Sequence, residues 1–349
     1  MRAHAPASQP WFLTVALVNP HDIMWFPLDQ QWWWNENPEF VAGERERLAR
    51  RNWGRKDNLP GFAHPLDEWF SELPPNFDDD LFTKPDVQRR WTLERERQSP
   101  PGFMRRDDAR IWLQQLNYYV KLHELNDRCI AKVLGALDAI GGWDDTIVIF
   151  TSDHGEQCGA HGLRSKGPWN YQETMRIPLY MRVPGRARPG SKTAALATHV
   201  DLARTIAEFA GVDLRESAGP AGESLAPLFS DPRAKVRDYV LFAQEWAWYS
   251  GVEQTRFAST GIFDGRHKYC RYYGVGSDGR DTGGNILTGP MLVPPTSSFE
   301  DHDHEWYDLA SDPHELVNLA HDRGRRAELR RRFEELRGIE GAAYAPVPR

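Results

Sequence analysis

The sequence has 349 residues, of which 40% are hydrophobic and 27% charged, with a formal net charge of −7. This length can bury a sizeable core as one large α/β domain or two smaller ones, and the balance excludes a disordered or fibrous chain. An acidic chain is not a general nucleic-acid binder, so the arginine-rich stretches 45–51 and 323–332 read as solvated helix faces.

No apolar run approaches the ~18 residues that span a bilayer, and "MRAHAPASQPW" contains no apolar leader segment, so the chain as it stands reads as cytoplasmic. The three cysteines, Cys129, Cys158 and Cys270, form no close pair and no zinc spacing, so no disulfide framework is implied. The 14 tryptophans include clusters at Trp32–Trp34 and in "EWAWY" (Glu245–Tyr249). Such aromatics either wall a cleft or pack.

In chain order, "PWFLTVALVNPHD" predicts a buried strand from Phe12 to Val18 that ends in a Pro-His turn. Residues 27–105 are polar, proline-punctuated and aromatic, a long insertion of the kind that lines a site, with a short helical piece at Val41–Arg51. From Asp108 to Ile140 the apolar residues Leu116, Tyr119, Val120, Leu125, Ile130, Val133, Leu134 and Leu137 follow the helical period, and Gly141-Gly142 stops it. "DDTIVIFTSD" and "RIPLYMRVPG" predict two further buried strands, and "THVDLARTIAEFAGV" predicts a helix between Asp201 and Gly211.

Strand, helix, strand, helix predicts an α/β fold: a mixed, mostly parallel central sheet with helices on both faces. After residue 235, "DYVLFAQ", "FASTGIFDG" and "RHKYCRYYG" predict a small antiparallel sheet, and "HELVNLAHDRGRRAELRRRFEELRG" predicts a closing helix. The domains are drawn at 1–234 and 235–349.

The chemistry concentrates in "TIVIFTSDHGEQCGAHGLRSKGPW". Ligands of open α/β sheets bind beyond the carboxyl ends of strands, where Asp153 and His154 fall. A carboxylate beside an imidazole suits a divalent cation, and oxygen ligands favour calcium, magnesium or manganese. An Asp cap with a packed His fits the spacing equally well. Lys166, beside Gly167-Pro168, either holds an anion or lies in solvent. His21 ends its strand where it too faces the carboxyl edge. Together these groups describe an oxyanion-transfer site, with cation and ammonium offsetting negative charge and a His protonating a leaving oxygen.

"TSDHGEQCGAHGLRSKGPWNYQETMRIPLYMRVPG" resembles the second signature region of the sulfatases, within the alkaline-phosphatase superfamily. "FLTVALVNPHD", "THVDLARTIAEFAGV", "GESLAPLF" and "EWYDLASDPHELVNLA" are similar to further family segments in the right order, from about residue 11 to 320. The resemblance implies an alkaline-phosphatase-like fold and hydrolysis of a sulfuric ester on a small molecule or sugar. It makes Asp153 and His154 metal ligands, with Ca2+ first and Mg2+ or Mn2+ next. Lys166 and His21 become catalytic and substrate-binding residues, His161 a substrate-side position, and Arg164 a possible contact. His199 reads as packing or capping.

One departure matters. The family begins with a strand ending in paired aspartates and a Cys-x-Pro-Ser-Arg motif whose Cys becomes the formylglycine nucleophile. Cys129 is followed by "IAKV", Cys158 by "GAHG" and Cys270 by "RYYG", and no Asp pair follows an apolar strand. The expectation is a sulfatase-like domain lacking its N-terminal part and inactive as it stands. The alternatives are a phosphonate or phosphate ester hydrolase of the same superfamily, or a non-catalytic anion-binding descendant.

Overall fold

The computed structural model describes residues 10–27, 30–36, 38, 68–98, 104–186, 189–212, 222–244, 255–274 and 293–343. The helical piece expected at 41–51 and the "EWAWY" cluster lie outside the described residues. The chain divides into two compact units: one holds 1–78, 95–145 and 156–165, the other 79–94, 146–155 and 166–349. This grouping differs from a boundary at 234/235: the antiparallel sheet shares buried side-chain contacts with Lys84, Gln88 and Asn170.

The first unit is built on α3 (Ala109–Ala139), two residues shorter than the span predicted, with Gly141 at φ 68° ending it in the left-handed region that glycine tolerates. The face it buries is Ile111, Trp112, Tyr118 and Leu122, while Leu116, Tyr119 and Leu125 are only partly buried beside it. The helical period is as expected, with its most buried line rotated toward the N-terminal half. Against that face pack Ile23, within a 3-10 turn (His21–Trp25), and Phe26 just after it, with Trp33 of α1 (Gln31–Glu36), Phe77 and Cys158. Phe26 stacks on Tyr118 at 5.7 Å and Phe77 meets Trp112 edge-on at 5.3 Å, geometries that satisfy the ring quadrupoles.

The predicted strand Phe12–Val18 is unpaired and exposed, with Phe12 at 75%. An apolar alternation specifies which residues want burial. A strand also needs a neighbour to accept its ladder, and no described residue supplies one.

The second unit carries both sheets. β1 (Val148–Thr151) and β2 (Leu179–Arg182) form an antiparallel ribbon in the register Val148↔Arg182 to Thr151↔Leu179. The mostly parallel orientation expected for the central sheet is not seen among the described residues, where both sheets are antiparallel. A parallel pair needs a crossover, and the β1–β2 connection contains only a 3-10 turn and the four-residue α4 (Gln172–Met175). Neither strand is buried as predicted, with Phe150 40% and Tyr180 69% exposed.

Helix α5 (His199–Phe209) begins at a capping box between Thr198 and Asp201 and ends at Gly211. Asp201 is fully buried: it accepts from the N–H groups of Thr198 and Glu223, each at 2.8 Å, and pairs with Arg237. The short α6 (Pro227–Ser230) follows.

The C-terminal part forms the four-stranded antiparallel sheet β3-β4-β5-β6 (Val240–Gln244, Ala258–Phe263, His267–Tyr273, Asp303–Asp308), closed by α7 (Arg326–Ala343). Its core joins Ile262, Tyr269, Phe299, Trp306, Leu329, Phe333 and Leu336. β6 has no counterpart among the predicted elements, because "DHEWYD" alternates charge with aromatics and reads as a surface motif. Helix α2 (Asp86–Gln98) contributes Val87, Gln88 and Trp91 to buried positions of this unit. No described helix is long and apolar enough to cross a membrane.

Candidate active site

Asp153 and His154 lie in the bend immediately past β1, as the strand-end argument predicts. The His154 Nδ1–H donates to the Gly155 carbonyl at 2.9 Å, which leaves the lone pair on Nε2. That Nε2 lies 3.4 Å from Asp153 Oδ2. Asp153 Oδ1 is engaged separately, accepting from the His154 N–H at 2.9 Å and from Ser152 Oγ at 3.3 Å. Burial pushes the Asp153 carboxyl up, but the His154 imidazole, the His154 N–H and Ser152 outweigh it and hold the group below its ordinary range. An ionised oxygen and the imidazole Nε2, which offers a lone pair only when deprotonated, thus converge on one exposed side. The donor set suits a divalent cation and would supply two ligands. Among the described residues no third His, Cys, Asp or Glu joins them.

The backbone around the pair is tightly held. Gly155 donates to the Thr174 carbonyl at 2.8 Å, and a Cβ at 155 would overlap the Glu173 carbonyl oxygen, so the third residue of "DHG" must be glycine. The Nε2–H of His199, the first residue of α5, donates to the Ser152 carbonyl at 2.7 Å. Thr151 Oγ1 donates to the Pro178 carbonyl at 2.9 Å. His199, expected to pack or cap, thus tethers the residue preceding the ligand pair. Asp201 marks the start of the helix in the sequence but carries no signal for where the His199 ring points.

Lys166 is half-buried in the second unit, ahead of a glycine whose conformation is forced. A Cβ at 167 would strike the Trp169 ring, and the Gly167 carbonyl accepts from Trp169 N at 2.8 Å and Gln244 Nε2 at 2.7 Å. Trp169 is fully buried, edge-on to Trp91 at 5.5 Å. Asp153, His154 and Lys166 are therefore all carried by the second unit, on a strand end and a loop pinned by glycines.

His21 and His161 belong to the first unit. His21 is exposed at the start of its 3-10 turn, with its N–H donating to the Val18 carbonyl at 3.1 Å. Arg164 donates to the Met24 carbonyl of that same turn at 3.2 Å, so its guanidinium holds backbone. His161 has no exposed surface and sits at φ 57° in a tight turn between glycines. Of the cysteines, Cys158 and Cys270 are buried, and burial first, with nearby carboxylates, pushes both thiols well above their ordinary value.

Comparison with known proteins bears on the same stretches. The Sulfatase family model matches residues 2–212, and that of the N-sulphoglucosamine sulphohydrolase C-terminal region matches residues 159–278. A multifunctional alkaline phosphatase superfamily protein of Trinickia caryophylli is 28% identical over 226 residues, covering 62% of this chain and 38% of that protein. An N-acetylglucosamine-6-O-sulfatase of Bacteroides thetaiotaomicron is 29% identical, covering 55% of this chain and 30% of that one. The solved structure of a 2-O GAG sulfatase superposes with a TM-score of 0.62 at 20% identity, over 94% of this chain and 58% of the other, a likeness of fold. The chain therefore spans well under two thirds of the length of each.

Proposed function

This chain belongs to the sulfatase family, and from that premise we propose that it forms part of a sulfuric ester hydrolase acting on a sulfated sugar. Asp153, His154 and Lys166 handle charge in that reaction. The observation that carries the reading is the Asp153–His154 arrangement, in which a carbonyl-tethered Nδ1 turns the bare Nε2 toward the carboxylate. Asp153 and His154 would hold a divalent cation, calcium first because of the oxygen ligand, and it would supply fixed positive charge to offset that of the sulfuryl group.

The chain's own residues do the rest. The Lys166 ammonium offsets negative charge on the sulfuryl group, and His21 provides a proton to the ester oxygen, so that the S–O bond opens to an alcohol rather than a bare alkoxide. His21 takes this role from its place in the family pattern. Water is the net co-reactant, and the products are alcohol and sulfate. This reading assigns no attacking group within the 349 residues, since none of the three cysteines begins a Cys-x-Pro-Ser-Arg motif. A sugar ester is favoured because the relative from Bacteroides thetaiotaomicron bears the name of a sugar sulfatase.

The test uses the 349-residue chain itself. Mn2+ binds weakly with a response lost in Asp153→Ala, inorganic sulfate perturbs Lys166, and aryl sulfate turnover is negligible. Robust turnover by this chain would place a nucleophile within it and overturn the reading. The multifunctional relative favours one alternative, a phosphonate or phosphate ester hydrolase. Tighter binding of inorganic phosphate than of sulfate would choose it.

A further inference from the structure

The C-terminal stretch "SDPHELVNLA" has no part in the chemistry assigned above. In the structure its Glu315 is buried with a left-handed backbone (φ 55°), and its carboxylate pairs with Lys268 of β5, which is also buried. Desolvating two charges is costly, and apolar residues of similar volume often stabilise a core as well or better. This pair does something apolar residues cannot, because it hydrogen-bonds the backbone of the loop after Lys166. Glu315 Oε2 accepts from the Gln172 N–H at 2.7 Å, and the Lys268 ammonium donates to the Asn170 carbonyl.

Other strands of the same sheet grip the same segment. Asn170 Nδ2 donates to Ser259 Oγ of β4 at 2.9 Å, and Gln244 of β3 donates to the Gly167 carbonyl at 2.7 Å. The Tyr171 hydroxyl donates to Gln88 of α2 at 2.6 Å. Lys84 Nζ donates to the Glu315 carbonyl at 2.6 Å, which fixes the clamp from behind. One further bond leads out: Gly155 donates to the Thr174 carbonyl, and Gly155 directly follows the Asp153-His154 pair. Residues 167–174 therefore have Lys166 at one end and the ligand-pair backbone bonded to the other.

We infer that Lys268 and Glu315 are positioning residues, which hold residues 167–174 on the C-terminal sheet and so set where Lys166 and the Asp153–His154 pair are presented. The inference rests on the roles proposed above for those three residues.

The experiment is amide hydrogen exchange on the 349-residue chain, with two double variants. Lys268→Met/Glu315→Leu removes both charges together and leaves no unpaired one. Lys268→Gln/Glu315→Gln restores a donor for Asn170 and an acceptor for Gln172. The apolar pair should exchange about tenfold faster at Gly155 and Gln172, with β4 and β5 amides and the thermal midpoint unchanged, and the glutamine pair should return both to the parent rate. Inorganic sulfate should bind about fivefold more weakly to the apolar pair and recover with the glutamine pair. Unchanged exchange at 155 and 172, or equal acceleration throughout β4 and β5, overturns the inference.

Should the apolar pair not fold, Gln172→Pro removes the same N–H at the first helical position, where proline is tolerated. Unaltered Gly155 exchange there also overturns it. A parent chain indifferent to sulfate, with exchange still accelerated in the apolar pair, overturns the role of Lys166 and leaves the positioning intact.

Discussion

The second unit contains two antiparallel sheets built to opposite standards. Strand β5 is buried along almost its whole length, between paired neighbours and beneath α7, while β1 and β2 form a two-stranded ribbon whose Phe150 and Tyr180 face outward. An isolated two-stranded ribbon is marginal by itself, whereas three or more strands packed on a helix are self-sufficient. The ribbon nevertheless leads into Asp153 and His154, and the sheet carries none of the residues proposed for the chemistry. The difference shows a division of labour: the closed sheet supplies rigidity, and side chains from β3, β4 and β5 lend it to the loop between β1 and β2.

The contrast can be broken most forcefully from the closed side. Trp306→Ala, in the fully buried core beside Phe299 and Phe333, should lower the unfolding free energy by ~3–5 kcal/mol in urea titrations. Next comes Asp201→Ala, which strands Arg237 and two N–H groups in a buried place, with a loss of about 3 kcal/mol by the same measurement. A loss under about 1 kcal/mol would mean that water replaces those contacts.

A smaller effect depends on pH. Burial first, then Arg271 against the Ser298 carbonyl, pushes His302 down to about 4. Burial, with His302 and the nearby Arg326 and Arg271 against the Phe299 carbonyl, does the same to His304. An unfolded chain protonates its histidines near 6.5, so between there and about 4 it binds more protons than the folded one. Stability should therefore fall as pH drops through that window, and His302→Gln/His304→Gln should flatten the slope of thermal midpoint against pH. The smallest effect belongs to the ribbon: Tyr180→Ala, at 69% exposure, should change stability by no more than about 0.5 kcal/mol. A loss comparable to that of Trp306 would show that the ribbon is buried in solution.

The candidate site was legible in part. Asp153 and His154 could be placed past a strand because "TIVIF" ends there, but the close approach of the Glu173 carbonyl that requires Gly155 was not read from the sequence. The enclosure of His161 could not be read, because a His between glycines looks the same whether its ring faces water or Phe77 and Trp112 pack around the turn. The tether from His199 to Ser152 and the Lys268–Glu315 clamp were equally hidden, since each joins residues at least 47 positions apart.

By itself the sequence determined what local physics can specify: the long helix and its glycine stop, the capped start of α5, the C-terminal meander with its closing helix, and the family motifs. Only the tertiary structure decided that β1 pairs antiparallel with β2, that Phe12–Val18 has no strand partner among the described residues, and that a buried ion pair hydrogen-bonds the loop after Lys166. Periodicity and capping act within a few residues of chain. Strand partners, burial and charge pairing depend on which distant segments meet, and no local pattern encodes that.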